Sequence, residues 1–187
     1  MFFARQALMK VSGDQRVEGC TDLVTLDTEI QLGSLTCSVQ QTPCHTTGSV
    51  CYHFPQLNSV FTGDTIFYGG VGRFFEGTAD QMVSSVKKIQ ALPGETQIFP
   101  GHEYTVSNLK FSAFFEPENE KTKLLLAECS QKRSNDKFTV PSTVDTENSI
   151  NPFFRFANDF MIKKTGGSDE TEVMKLIREA KNGYRPS

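Results

Sequence analysis

The stretch from Phe61 to Met82, FTGDTIFYGGVGRFFEGTADQM, constrains the fold of this chain more than any other. Its apolar start leads into a Gly-Asp turn at Gly63 and Asp64, which is typical of a buried strand that ends in an acidic side chain. A single aspartate after a glycine is more often a turn former or helix cap than a ligand. The meaning of Asp64 therefore depends on what the other strand ends carry.

Two further turns place a histidine just past a proline at the end of a predicted strand. They are TPCHT, residues 42–46, and FPGHEY, residues 99–104. Histidine and aspartate side chains that are far apart in sequence, but each placed in a turn at a strand end, are suited to converge on a metal ion. The sequence therefore predicts a metal site built from His45, Asp64 and His102.

The length of 187 residues allows one domain, or one domain with a small appendage. The chain is 37% hydrophobic and 22% charged, as in a soluble globular protein, and its formal net charge of -3 argues against a nucleic-acid-binding surface. No apolar run approaches the roughly 18 residues of a membrane span. We expect a cytoplasmic location. The mitochondrial matrix is the alternative, because the basic residues Arg5 and Lys10 precede the first acidic residue, as in a mitochondrial address.

The five cysteines are odd in number and form no C-x-x-C pair, so the sequence indicates neither a disulfide framework nor a thiolate zinc site. A reducing compartment is the simpler interpretation. Cys44 and Cys51 are expected to be small buried side chains rather than nucleophiles. His53 follows Tyr52 on an alternating strand and is expected to be a strand imidazole rather than a ligand.

The first half of the chain is predicted to be mostly sheet, and the half after Tyr104 mostly helical. Thr78 and Gln81 form a capping box for a helix that should end near Pro93. Strands are predicted at 8–12, 34–41 and 96–99, a hairpin at 49–61, helices at 106–115, 117–132 and 169–181 with Ser168 as cap, a polar connection at 13–33 and a polar loop at 139–151. The predicted domains are residues 1–104 and residues 105–187.

Seven segments, in order, resemble the hydroxyacylglutathione hydrolases, the glyoxalase II family of the metallo-β-lactamase superfamily. They are TPCHTTG, VFTGDTIF, GRFFEGTADQM, PGHEYTVSNLKF, EPEN, VPSTVDTE and NPFFR, and the resemblance runs from about Gly13 to Lys181. It implies an α/β (α+β) fold. Residues 1–104 would form part of the family's αββα sandwich, and residues 105–187 its helical C-terminal domain.

The resemblance also implies an activity, hydrolysis of S-D-lactoylglutathione to glutathione and D-lactate in methylglyoxal detoxification. In that family two divalent metals, zinc or alternatively iron or manganese, hold the attacking hydroxide. The residue matching His45 binds one metal, the residue matching His102 binds the other, and the residue matching Asp64 bridges both. Asp64 is thus implied to be catalytic through the metal-bound hydroxide.

The chain departs from the family pattern in its metal ligands. The family motif T-H-x-H-x-D-H would lie upstream of Met1, and the only histidines here are His45, His53 and His102. We therefore expect neither metal site to reach a complete ligand set in this chain alone. One metal shared by all three predicted ligands is the alternative. Ser49 replaces a family histidine, which is expected to change hydrogen bonding around the ligands.

Five residues are implied to bind the glutathione part of the substrate. Arg73 and Tyr104 match family binding residues, and Phe75 replaces a tyrosine, which removes one hydrogen bond of about 1 kcal/mol. Arg178 and Lys181 share one helix face and could reach one anion, or could serve only as a solvated helix end that complements the helix dipole.

Three hypotheses remain open on the sequence. The chain is a catalytically defective product of a glyoxalase II gene, or a working hydrolase that uses a partner's metal motif, or a non-enzymatic module that binds glutathione conjugates. Zinc content separates the first two, and conjugate binding without turnover supports the third. The sequence is silent on protein partners and on oligomeric state.

Overall fold

The computed structural model describes residues 10–24 and 28–185. Residues 1–9, which contain most of the stretch considered as a mitochondrial address and the start of the first predicted strand, lie outside the described residues. The strands are β1 (Val11–Ser12), β2 (Asp22–Leu23), β3 (Glu29–Leu32), β4 (Leu35–Gln41), β5 (Val50–Phe54), β6 (Ser59–Gly63), β7 (Ile66–Phe67), β8 (Gly70–Val71), β9 (Gln97–Pro100) and β10 (Ser142–Thr143). The helices are α1 (Ala79–Gln90), α2 (Thr105–Phe115), α3 (Glu120–Ser134), α4 (Val144–Ile150), α5 (Asp159–Thr165) and α6 (Glu170–Gly183), with short 3-10 turns at Pro55–Leu57 and Pro152–Phe154.

A six-stranded sheet in the order β10-β9-β6-β5-β4-β3 positions the three predicted metal ligands. Strands β4 and β6 are both antiparallel to β5, so they point the same way, and β9 is parallel to β6. The C-terminal ends of β4, β6 and β9 therefore meet at one edge of the sheet. The turns that follow these three strands carry His45, Asp64 and His102, respectively.

The hydrophobic core lies between this sheet and the helices, so the fold is α+β, as predicted. Val60 of β6 and Ile98 of β9 are fully buried, and they belong to the same cluster as Met82 of α1 and Met174 of α6. The cluster thus joins side chains from both sides of residue 104. The division into residues 1–104 and 105–187 stays a prediction. None of the helices in the described residues combines the length and apolar character needed to cross a bilayer.

Several predicted elements are confirmed. Strands β5 and β6 form the predicted hairpin around Pro55–Leu57, and β4 and β9 lie within a residue or two of their predicted positions. The capping box is also present, since the Gln81 side chain accepts a hydrogen bond from the Thr78 backbone N–H at 3.0 Å.

For two segments, the prediction that they lack regular structure is wrong. The connection at 13–33 contains β2 and β3, and β3 pairs with β4 although three of its four residues are exposed. The loop at 139–151 forms β10, which pairs with β9, and then α4. In both segments pairing with a remote strand supplies the structure, and a local polar pattern carries no signal of such pairing.

Two predicted helix starts are also wrong. Helix α3 begins at Glu120 rather than at Pro117, because the Asn119 side chain accepts from the Thr122 N–H and caps it. Helix α6 is capped by Asp169, whose carboxylate accepts from the Glu172 N–H at 2.9 Å, and not by Ser168. In each case the side chain that accepts the hydrogen bond of the N-cap lies later in the chain, closer to the apolar part of the helix, than the sequence predicted.

Candidate functional site

The side chains of His45, Asp64 and His102 lie together at the sheet edge. His45 Nε2 lies 3.5 Å from Oδ2 of Asp64, and His102 Nε2 lies 3.4 Å from Oδ1 of the same carboxylate. One carboxylate thus stands between two imidazoles and presents a different oxygen to each. Among the described residues, however, no group of three or more His, Cys, Asp or Glu side chains could hold one metal ion.

The orientation of His45 is fixed by a backbone contact. Its Nδ1 lies 3.0 Å from the carbonyl oxygen of Arg73, which can only accept, so in the neutral ring Nδ1 carries the proton. The lone pair of Nε2 is then directed toward a carboxylate oxygen, and two acceptors facing each other favour a cation between them. The donor set, imidazole nitrogen and carboxylate oxygen, is one that zinc, iron and manganese accept. The residues present therefore fit part of a divalent-metal centre.

Two glycines allow the turns to approach this carboxylate. A Cβ on Gly101 would lie 2.7 Å from Oδ1 of Asp64, and a Cβ on Gly72 would lie 2.0 Å from the Asp64 carbonyl oxygen. The Gly101 N–H also donates to the Gly63 carbonyl at 2.8 Å. Any larger side chain at these positions would displace Asp64 or the strand end that holds it.

All eight predicted site residues line one cleft of about 560 Å³. Tyr104 stacks on His102 with ring centroids 5.0 Å apart, and Phe75 lies 5.0 Å from the His45 ring. Phe75 is 66% exposed, so its ring is available to a ligand. The cations that line the cleft are Arg73, Arg178, Lys181 and Arg185.

Arg178 and Lys181 are not a solvated helix end. Arg178 is 6% exposed and donates to the Val71 carbonyl at 3.1 Å, and burial lowers its pKa to about 10. Lys181 is half-buried and donates to the side-chain oxygen of Asn108. Burial, and secondarily the charge of Arg178, lowers the pKa of Lys181 to about 7. Both cations therefore belong to the cleft wall.

The cleft wall includes a turn, residues 68–71, whose backbone is held by side chains from three helices. From α2, Asn108 donates to the Tyr68 carbonyl at 3.0 Å, and Ser112 donates to the Gly69 carbonyl at 3.3 Å. From α4, Glu147 accepts from the Gly69 N–H at 3.0 Å. From α6, Arg178 reaches Val71, as described above. These hydrogen bonds therefore hold the 68–71 turn in place, as part of the cleft wall between the sheet edge and the helices.

The sequence prediction missed Asn108, which lines this cleft, and Glu147, which supports the 68–71 turn from behind the cleft wall. Asn108 lies beside Leu109 on α2 and is 4% exposed, so a polar residue within the apolar pattern of that helix was the available signal. Glu147 is fully buried in a segment predicted to be a loop, which hid it. Cys44 and Cys51 are fully buried, as predicted, and burial raises the pKa of their thiols to about 12 and about 11.

Two family models match the chain. The metallo-beta-lactamase superfamily model matches residues 12–102, and the model of the hydroxyacylglutathione hydrolase C-terminus matches residues 103–184. A hydroxyacylglutathione hydrolase-like protein of Gallus gallus is 40% identical over 178 residues, which cover 92% of this chain and 63% of that protein. The cytoplasmic hydroxyacylglutathione hydrolase of Arabidopsis thaliana is 40% identical over 176 residues, which cover 91% of this chain and 68% of that protein. A probable hydroxyacylglutathione hydrolase of Schistosoma mansoni is 37% identical over 186 residues, with coverage of 96% and 78%.

Solved structures show the same fold. ETHE1 from Myxococcus xanthus superposes with a TM-score of 0.56 at 21% identity, over 93% of this chain and 66% of that one. A metallo-beta-lactamase from Staphylococcus aureus superposes with a TM-score of 0.53 at 20% identity, over 97% of this chain and 43% of that one. The chain spans 63% of the length of the Gallus gallus relative.

Proposed function

We propose a function from one premise, that the chain belongs to the hydroxyacylglutathione hydrolase family of the metallo-β-lactamase superfamily. The proposed reaction is hydrolysis of an S-(2-hydroxyacyl)glutathione, with S-D-lactoylglutathione as the expected substrate. Water adds to the thioester carbonyl, the C–S bond breaks, and the products are a 2-hydroxy acid and the glutathione thiol. The proton released from water balances the thiolate that leaves.

One observation carries this proposal, the bridging position of Asp64 at the end of a cationic cleft. The two imidazoles lie 3.5 and 3.4 Å from different oxygens of its carboxylate, and three predicted cations line the space beside them. We infer that Arg73, Arg178 and Lys181 bind the carboxylates of the glutathione peptide. Tyr104 and Phe75 would pack against its backbone, on either side of the thioester.

His45, Asp64 and His102 would be among the ligands of two divalent metals, zinc, iron or manganese. Such metals, when bound, lower the pKa of water toward neutrality and stabilise negative charge on a carbonyl oxygen. The backbone contact from Arg73 to His45 keeps the Nε2 lone pair available for this role.

The test is hydrolysis of S-D-lactoylglutathione by the purified chain with added zinc, beside a His102→Ala variant. His53→Ala is the matched control, because His53 lies within β5 and outside the cleft. Hydrolysis by this chain would give a rate that His102→Ala abolishes and His53→Ala preserves. No rate above that of His102→Ala, with the chain folded, would contradict hydrolysis by this chain alone.

A second candidate function is binding of glutathione conjugates without turnover. It is favoured by the ligand count, since His45 and His102 each lie beside the carboxylate of Asp64, and among the described residues no group of three His, Cys, Asp or Glu side chains could hold one ion. Calorimetric titration with S-hexylglutathione, a thioether that cannot be hydrolysed, tests it. Saturable binding with no hydrolysis of the thioester would establish this function instead.

We propose a cytoplasmic location, which is supported by the similarity to the cytoplasmic hydroxyacylglutathione hydrolase of Arabidopsis thaliana. Fractionation of cells that express the untagged chain tests it. Recovery in the mitochondrial fraction would establish the alternative.

A further inference from the structure

Two loops meet at the end of the cleft where His45 lies. The first, residues 42–49, carries His45, and we term it the His45 loop. The second, residues 72–77, carries Arg73 and Phe75, and we term it the Arg73 loop. They touch through the Arg73 carbonyl, which lies 3.0 Å from His45 Nδ1, and through the Glu76 N–H, which donates to the Cys44 carbonyl at 3.4 Å.

A third contact between the loops is made by the carboxylate of Glu76. Its Oε2 accepts from the backbone N–H of Thr47 at 2.7 Å and from the Thr47 hydroxyl at 3.2 Å. The guanidinium of Arg16 donates to both oxygens of the same carboxylate, at 2.7 and 2.8 Å. Asp14 in turn accepts from Arg16, at 3.0 Å from its Nε. One carboxylate thus joins the His45 loop, the Arg73 loop and the segment before β2.

The Arg16, Glu76 and Asp14 cluster fixes the position of the loops more than it adds to the free energy of folding. Arg16 is 61% exposed in its side chain, and exposed ion pairs contribute little to the free energy of folding. A bidentate guanidinium contact nevertheless fixes geometry, because two parallel donors define the plane of the carboxylate. These hydrogen bonds lower the pKa of Glu76 to about 2, so the carboxylate is ionised at neutral pH.

We propose that Glu76 is a positioning residue for the substrate cleft, holding the Arg73 loop against the His45 loop so that Arg73, Phe75 and the Nδ1 contact of His45 keep their places. Two anchors hold the Glu76 carboxylate: the first is Thr47 of the His45 loop, and the second is Arg16. This inference rests on the proposed function, since it assumes that Arg73 and Phe75 contact the glutathione peptide. Glu76 itself does not touch the ligand.

The test compares variants by titration with S-hexylglutathione. Glu76→Ala removes both anchors, Glu76→Gln keeps an acceptor for Thr47 but loses the charge that pairs with Arg16, and Arg16→Ala removes one anchor. Glu170→Ala is the matched control, because Glu170 also forms an exposed ion pair between remote segments, with Lys87, but lies outside the cleft. We expect Glu76→Ala to raise the dissociation constant about tenfold, because a displaced Arg73 would lose a charge-assisted hydrogen bond to the ligand. The two partial variants should lie between Glu76→Ala and the unaltered chain, and Glu170→Ala should match the latter.

A second measurement separates positioning from a general loss of structure. The ¹⁵N signals of the His45 ring report which ring nitrogen carries the proton. We expect the Nδ1–H form in the unaltered chain and in Glu170→Ala, and a mixture of the two forms in Glu76→Ala. Unchanged thermal unfolding of Glu76→Ala would accompany this result.

The outcomes for this inference and for the proposed function are distinguishable. If the unaltered chain binds no S-hexylglutathione, the proposed function fails, and the His45 signals still decide whether Glu76 holds the loops. If the unaltered chain binds and Glu76→Ala binds within twofold of it, with the same His45 signals, the positioning role is overturned.

Discussion

Lys181 is the cleft cation whose charge changes near neutral pH. Its ammonium is placed beside Arg178 and donates to Asn108, and burial together with the neighbouring charge lowers its pKa to about 7. A bound carboxylate would favour the charged form of the lysine. Binding of an anion by this cleft is therefore linked to uptake of a proton.

We expect the affinity for S-hexylglutathione to fall about tenfold between about pH 6 and about pH 9, as one charge-assisted contact is lost. Arg178, with a pKa lowered to about 10, stays charged in this range. Titrations at several pH values check the prediction. Lys181→Met should bind weakly and with little pH dependence, whereas Lys175→Met, on the exposed face of α6, should follow the unaltered chain. Parallel pH profiles for Lys181→Met and the unaltered chain would contradict it.

Glu147 makes the stability of the fold depend on pH, over a lower pH range than the one in which Lys181 affects binding. Its carboxylate is fully buried, and desolvation raises its pKa from 4.5 to about 7. The folded state therefore binds more protons than the unfolded state between these values, so the free energy of unfolding falls as pH rises from 4.5 to about 7. Above that range the loss is constant.

The Glu147→Gln variant should remove this dependence, because a neutral amide still offers an oxygen to Gly69 and does not ionise. At pH values above 7 we expect it to be more stable than the unaltered chain by up to about 3 kcal/mol, and at acid pH about equal. Denaturant unfolding at several pH values measures the difference, with Glu128→Gln, an exposed carboxylate paired with Lys132, as control. A pH profile of stability that Glu147→Gln leaves unchanged would exclude the buried carboxylate as its source.

At the scale of elements, helix α6 carries Arg178 and Lys181 at the cleft, and its N-cap contributes to the stability of the fold. The N-cap is Asp169, whereas the Ser168 hydroxyl donates to the exposed carboxylate of Glu172 at 2.7 Å. The two side chains are adjacent but contribute differently, since only Asp169 satisfies a helix N–H.

Asp169→Ala should therefore lower the free energy of unfolding by about 1 kcal/mol, and Ser168→Ala by less than half of that. Urea unfolding of the two variants under the same conditions checks the order. A larger loss for Ser168→Ala would restore Ser168 as the cap.

The sequence predicted the elements whose signals are local, and it missed those that depend on remote partners. The turns with His45, Asp64 and His102, and the capping box of α1, can be recognised within a few residues. Strand β3 and strand β10 exist because β4 and β9 offer them an edge, and α4 follows from the position of β10. The partners of the site residues, such as Asn108, leave at most a weak local signal for the same reason. Their role is defined by a contact from another helix rather than by their neighbours in the chain.

The whole molecule is held by a core that crosses the predicted boundary near residue 104. Met82 and Val86 of α1 belong to the same buried cluster as Val173 and Ile177 of α6. An exposed ion pair between Lys87 and Glu170 joins the same two helices. Each side of the boundary thus contributes buried side chains to the same cluster.

We therefore expect one cooperative unfolding transition, because a shared core couples the two parts. Two probes follow it, the far-ultraviolet signal of the helices and the fluorescence of the tyrosines, and their midpoints in urea should coincide. Met174→Ala should shift both midpoints together, with a loss of about 2 to 5 kcal/mol. Two separate transitions would show instead that the parts fold independently.

The 68–71 turn has a consequence for how this cleft can change. The helices hold it through hydrogen bonds to its peptide groups, which depend on the backbone of the turn and not on its side chains. Phe67, which lines the cleft just before the turn, can therefore be replaced without loss of these hydrogen bonds. Val71 cannot be replaced as freely, because its side chain also packs in the core cluster that α6 shares.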